Sequence, residues 1–71
     1  MSKSKYAKIV AAYRTDLSLG LQWARANKAI TGSAEVVKSG DVYYARVKLK
    51  KGRAALRNLI SDRFGSFIKV K

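Results

Sequence analysis

The strongest constraint on this chain is an echo within it. Tyr6-Ala7-Lys8-Ile9 matches Tyr44-Ala45-Arg46-Val47, and Gly32-Ser33 followed by Val37-Lys38 matches Gly65-Ser66 followed by Val70-Lys71. Two copies of one unit within 71 residues restrict the chain to small folds with internal pseudo-symmetry. The nature of the unit is clearest in its second copy.

Ser39-Gly40-Asp41 separates Ala34-Glu35-Val36-Val37-Lys38 from Val42-Tyr43-Tyr44-Ala45-Arg46-Val47-Lys48-Leu49, which predicts a β-hairpin. Between Gly52 and Gly65, Leu56, Leu59, Ile60 and Phe64 recur at helical spacing, with Gly65 as the expected C′ stop. Ser66-Phe67-Ile68-Lys69-Val70-Lys71 then alternates as a strand does. The second half therefore reads strand, helix, strand.

The first half is ambiguous when taken alone. Tyr6, Ile9, Val10 and Tyr13 would also form a stripe on an amphipathic helix, giving an α-α-β-β-α-β order. The echo favours a strand from Tyr6 to Arg14 and a helix from Asp16 to Ile30, capped by Thr15 or Asp16 and closed near Gly32. The expected class is α+β, a ferredoxin-like βαββαβ sandwich: one four-stranded antiparallel sheet, two helices on one face, first and third strands central. No linker or change of composition divides the chain, so a single domain over 1-71 is expected, with 1-4 as a flexible basic N-terminus. A domain this small buries only about 60% of its unfolded surface, enough for one thin core and no enclosed active site of ordinary size.

Strand alternation assigns the faces. Ala7, Ile9, Ala11 and Tyr13 turn inward on the first strand, Tyr43, Ala45, Val47 and Leu49 on the third, and Ile68 and Val70 on the last. Outward go Tyr6, Lys8, Val10, Ala12 and Arg14, then Val42, Tyr44, Arg46, Lys48 and Lys50, then Phe67, Lys69 and Lys71. Aromatic rings among cations on an open sheet suit stacked bases and a charged backbone together. An ordinary pleated surface with solubilising lysines would look similar, so the total charge decides. There are 16 Lys+Arg against 4 Asp+Glu, a formal net charge of +12. Self-repulsion on that scale is relieved by an anionic partner, of which nucleic acid is the commonest.

The arrangement resembles the RNA-recognition-motif family in topology and in setting aromatic residues on the central strands. Lys38-Ser39-Gly40-Asp41-Val42-Tyr43-Tyr44-Ala45-Arg46-Val47 shares a basic residue, a Gly and spaced aromatics with that family's third-strand signature, while the first strand departs from its usual pattern. Rings interleaved with cations on that open face are the basis for expecting single-stranded nucleic acid there.

A second cluster, Lys48-Leu49-Lys50-Lys51-Gly52-Arg53, leads into a helix whose free amide groups favour anions. With Arg14 expected at the same end, Arg14, Lys50, Lys51 and Arg53 would form a phosphate clamp. The spacing of a nucleotide-hydrolysis loop is absent. The nucleic-acid-binding set is thus Tyr6, Lys8, Arg14, Tyr44, Arg46, Lys48, Lys50, Lys51, Arg53, Phe67 and Lys69.

On the first helix, Leu19, Trp23, Ala26 and Ile30 fall on one side, with Leu17, Leu21 and Ala24 nearly opposite. One stripe must cover the sheet. The other either packs on the second helix, with Trp23 in the core, or makes a homodimer through the first helix.

Catalysis is not expected. With no His and no Cys, imidazole chemistry, thiol nucleophiles, disulfides and the usual zinc sites are excluded. The carboxylates Asp16, Glu35, Asp41 and Asp62 show no acid/base or metal-ligand spacing, so no metal or cofactor is expected. No apolar run approaches a membrane span or a secretory signal, which implies a cytoplasmic or nucleoid-associated protein. The leading expectation is a non-enzymatic nucleic-acid-binding protein. Its alternatives are a small basic inhibitor or adaptor docking on an acidic protein, and a structural component of ribosome or nucleoid.

Overall fold

The computed structural model describes residues 5–71, and the expected N-terminal arm at 1-4 lies outside them. The elements run β1 (Tyr6–Ala11), α1 (Arg14–Ala26), β2 (Ile30–Thr31), β3 (Val36–Ser39), β4 (Val42–Leu49), α2 (Arg53–Phe64) and β5 (Ile68–Val70). The protein is α+β, with two helices and an antiparallel sheet. Strand order is β2-β4-β1-β5, and β3 also pairs with β4. The strands expected to be central are central.

The sheet has five strands, which corrects the expected four. β3 overlaps the expected second strand, while β2 forms an extra short strand where the first helix was expected to end. Gly32 takes φ 77, a left-handed conformation that leaves the ladder. The chain spends more residues between Thr31 and Val36 than β4 spends between their partners, Lys48 and Ala45. The excess forms the loop that divides the edge. The echo fails here too: Val37 sits opposite Tyr44 and is exposed, whereas its supposed counterpart Val70 packs on the core.

Helix α1 also differs from its expected limits. β1 stops at Ala11, so Tyr13, not Thr15 or Asp16, is the N-cap, extended at φ −122 and ψ 141 with no side-chain cap bond. Tyr13 is therefore 67% exposed rather than inward. Asp16 lies in the first helical turn, where the dipole favours a negative charge.

At the other end α1 stops at Ala26, short of Ile30. The Lys28 amide donates to the Arg25 carbonyl at 3.0 Å and the Ala29 amide to the Ala24 carbonyl at 2.9 Å, the Schellman pattern, with Lys28 at φ 58 in the left-handed position. Ala24 and Ala29 are both buried beside it. A non-glycine residue in that conformation costs about 1–2 kcal/mol. Lys28→Gly should therefore stabilise the fold by about 0.5–1 kcal/mol after glycine's greater chain entropy is offset. That gain raises the melting temperature by about 2–8 °C, read by thermal unfolding.

The core follows the strand alternation. Ala7, Ile9, Ala11, Ala45, Val47 and Ile68 are buried in one cluster with Leu17, Leu21 and Ala24 of α1 and Leu56 and Ile60 of α2. Tyr43, Leu49 and Val70 pack partly against it. Gly20 is the point of closest approach: a Cβ there would overlap Ile68 Cδ1. Gly20→Ala gains helix propensity and Ile68→Val removes the obstructing methyl. The double variant should thus exceed the sum of the single changes by about 0.5–1 kcal/mol in denaturant unfolding.

Two other glycines divide in role. Gly40, at φ 61, occupies the first of two turn positions between the paired Ser39 and Val42, as a type II′ hairpin requires. Gly65 caps α2 with φ −53 and ψ −29, a right-handed conformation, so the expected left-handed stop does not form.

Candidate nucleic-acid interface

The register of β1 against β4 sets the open face. Tyr6 pairs with Lys48, Lys8 with Arg46, and Val10 with Tyr44. Each pair projects away from the buried Ala7, Ile9, Ala45 and Val47. On the other side of β1, Val10 pairs with Lys69, and Lys8 and Lys71 exchange both backbone hydrogen bonds, at 3.1 and 2.7 Å. Lys8 therefore stands between Arg46 and Lys71. Among the described residues, no strand contains an acidic side chain.

Tyr6 and Tyr44 each carry a cation. The Arg46 guanidinium lies over the Tyr6 ring, 4.9 Å from its centroid, and Lys8 Nζ lies over Tyr44 at 4.8 Å. The two contacts are images of each other. In the repeat Tyr6 corresponds to Tyr44 and Lys8 to Arg46, and the register sets Lys8 directly opposite Arg46. A local two-fold axis thus passes through that pair of cations, with a tyrosine diagonally beside each. Like charges directly opposite each other oppose strand pairing, and the rings partly offset this by attracting both.

Phe67 precedes β5 and is 57% exposed. It borders an open depression of about 310 Å³ that also takes in Val10, Ala12, Val42, Lys69 and Lys71. Val10, Val42 and Lys71 were absent from the expected site. Alternation turned all three outward, but two apolar residues and a terminal lysine carried no chemical signature of their own.

The expected clamp divides. β1 and β4 are antiparallel, so the chain leaves β1 for α1 at the Ala11–Tyr43 end of the ladder and leaves β4 for α2 beyond the Tyr6–Lys48 end. Arg14 and the group Lys50, Lys51 and Arg53 therefore lie at opposite ends, which corrects the expectation that they meet. The group does adjoin the open face. Arg53 Nη2 donates to the Tyr6 carbonyl at 2.7 Å, and the Lys50 and Lys51 amides both donate to the Ala29 carbonyl, at 3.0 and 3.3 Å. Gly52, the α2 N-cap, offers no side-chain bond to the first-turn amides.

The two stripes of α1 are unequal. Leu17, Leu21 and Ala24 are buried, whereas Leu19 is 52% exposed and Ala26 is exposed. Trp23 is half-buried under the Arg63 guanidinium of α2, which lies 4.6 Å from its ring centroid, so the second flank meets the second helix through this residue. Ile30 belongs to β2 and is buried.

Among the described residues, no three His, Cys, Asp or Glu side chains gather as a metal site would require, and no helix is long and apolar enough to cross a membrane. These features define a small α+β protein with one strongly cationic, ring-bearing sheet face. No protein-family model matches the chain, and no curated protein matches it in sequence.

Proposed function

We propose that the protein is a non-enzymatic nucleic-acid-binding protein that lays a single strand across the open sheet face. The observation that carries the reading is the company of residues there. Lys8, Arg46, Lys48, Lys69 and Lys71 share a face with Tyr6, Tyr44 and Phe67, and among the described residues no strand supplies a competing acidic side chain. Phosphates meet the cations, and bases exposed in a single strand meet apolar and aromatic surface that a duplex would leave unused. Lys50, Lys51 and Arg53 extend the phosphate path past the Tyr6 end of the face. Arg14 is a separate cation at the other end.

The fold reading that goes with this is ferredoxin-like with a divided second strand. Its support is that β2 and β3 both pair with β4, β1 and β4 are central, and buried residues of both helices join one cluster.

The test is competition between matched single-stranded DNA, duplex DNA and RNA, together with the absorbance of the purified protein at ~260 nm before and after nuclease and high salt. Co-purifying nucleic acid and preference for single strands support the reading. Equal affinity for duplex removes the single-strand assignment. Indifference to all three, with capture by an acidic protein, replaces the reading altogether.

A further inference from the structure

We infer that a base of the bound strand stacks on Phe67, while Tyr6 and Tyr44 act as positioning residues that hold Arg46 and Lys8 for phosphates. This rests on the nucleic-acid reading above and names the base subsite within it.

The two tyrosines are already engaged. A base stacking on the cation-bearing side of either ring must displace Arg46 from Tyr6 or Lys8 from Tyr44, contacts of 4.9 and 4.8 Å. It would lose the cation–ring attraction and move the charge that its own phosphate needs. Tyr44 is also half-buried.

Phe67 differs on each count. It is the more exposed ring, and among the described residues no Lys or Arg stands over it. Its depression of about 310 Å³ offers Val10, Ala12 and Val42 to the flat face of a base, with Lys69 and Lys71 for the flanking phosphates. An apolar floor with two lysines and no acidic side chain among its lining residues fits an aromatic ring linked to an anion, which is the chemistry of a nucleotide. A second depression, about 260 Å³, shares Val10, Val42 and Lys71 with the first and continues to Lys8 and Tyr44. A strand anchored at Phe67 therefore meets the Lys8–Arg46 pair next.

The experiment compares a short oligothymidylate with an abasic strand of equal phosphate count, binding each to the full chain at low salt. The wild type should prefer the base-bearing strand. Phe67→Ala should cut that affinity about 5- to 150-fold, the range for one stacked base, and leave abasic binding unchanged. Phe67→Leu, which keeps apolar bulk without an aromatic face, should lose the preference too, and it serves if the alanine variant folds poorly. Tyr44→Ala should weaken both strands by the same factor, because it acts through Lys8.

If both Phe67 variants keep the wild-type preference, or Tyr44→Ala alone abolishes it, the Phe67 subsite is wrong while nucleic-acid binding stands. If the wild type binds neither strand at low salt, both ideas fall.

Discussion

Raising monovalent salt from about 50 to about 200 mM should lower the affinity for a short single strand by about 300-fold. Each phosphate neutralised on a single strand contributes about −0.7 to the slope of log K against log salt, through release of condensed counterions. Five cations lie on the open face, Lys8, Arg46, Lys48, Lys69 and Lys71, and the Lys50–Arg53 group adjoins its Tyr6 end. A strand crossing the face and reaching that group neutralises about six phosphates. The resulting slope is about −4, and a fourfold rise in salt then costs about 300-fold.

The geometry makes these charges available. Among the described residues the strands hold no acidic side chain, and Lys8 and Arg46 rest on tyrosine rings, which attract them without neutralising them. A titration of affinity at several salt concentrations reads the slope directly. A folded acidic protein carries no comparable condensed counterion layer, so a slope shallower than about −1.5 would mean that the polyanion assignment is mistaken.

How far the sequence disclosed this arrangement depended on whether the local signal and the packing agreed. They agreed on β1 and β4. Ala7, Ile9, Ala11, Ala45 and Val47 alternate with cations and tyrosines, so one phase satisfies burial and the other phase would bury Lys8 and Arg46. The repeat removed the helical alternative for the first segment. The candidate face followed from that phase alone.

They disagreed at α1. Ile30 continues the helical stripe in sequence, but the chain turns at Lys28 in a conformation normally marked by glycine, so the stop had no visible sign. The glycines that were visible led elsewhere. Gly32 breaks an edge strand, and Gly65 caps α2 in an ordinary right-handed conformation. The clamp with Arg14 failed for a topological reason: pairing β1 antiparallel to β4 sends their C-terminal ends to opposite ends of the ladder. Tyr6 and Tyr44 lie on the face that alternation assigns them, but their cation partners lie diagonally across a register that only the paired strands define.

Lys8→Glu should move stability and binding in opposite directions. Lys8 faces Arg46 across β4 and Lys71 across the end of β5, two like-charge neighbours, each opposing strand pairing by about 0.2–1 kcal/mol. A glutamate there turns both repulsions into attractions of similar size. The change forfeits the contact with Tyr44, about 0.5–1 kcal/mol at an exposed site. The balance favours the variant by about 1 kcal/mol, which raises the melting temperature by about 4–8 °C in a domain of this size.

Binding should fall. Loss of one phosphate contact costs about 5-fold at ~0.1 M salt, taking the slope of about 0.7 across the decade to ~1 M, and the reversed charge repels the strand by a comparable amount. The expected loss is therefore about 20-fold, with the salt slope shallower by at least about 0.7. Calorimetry and a binding titration on the same sample measure both effects. A row of cations that opposes strand pairing is the kind of local inconsistency that ligand-binding surfaces carry. A variant that gains stability and binds single strands as the wild type does would remove Lys8 from the interface, and the two-fold cation pair at the centre of the face with it.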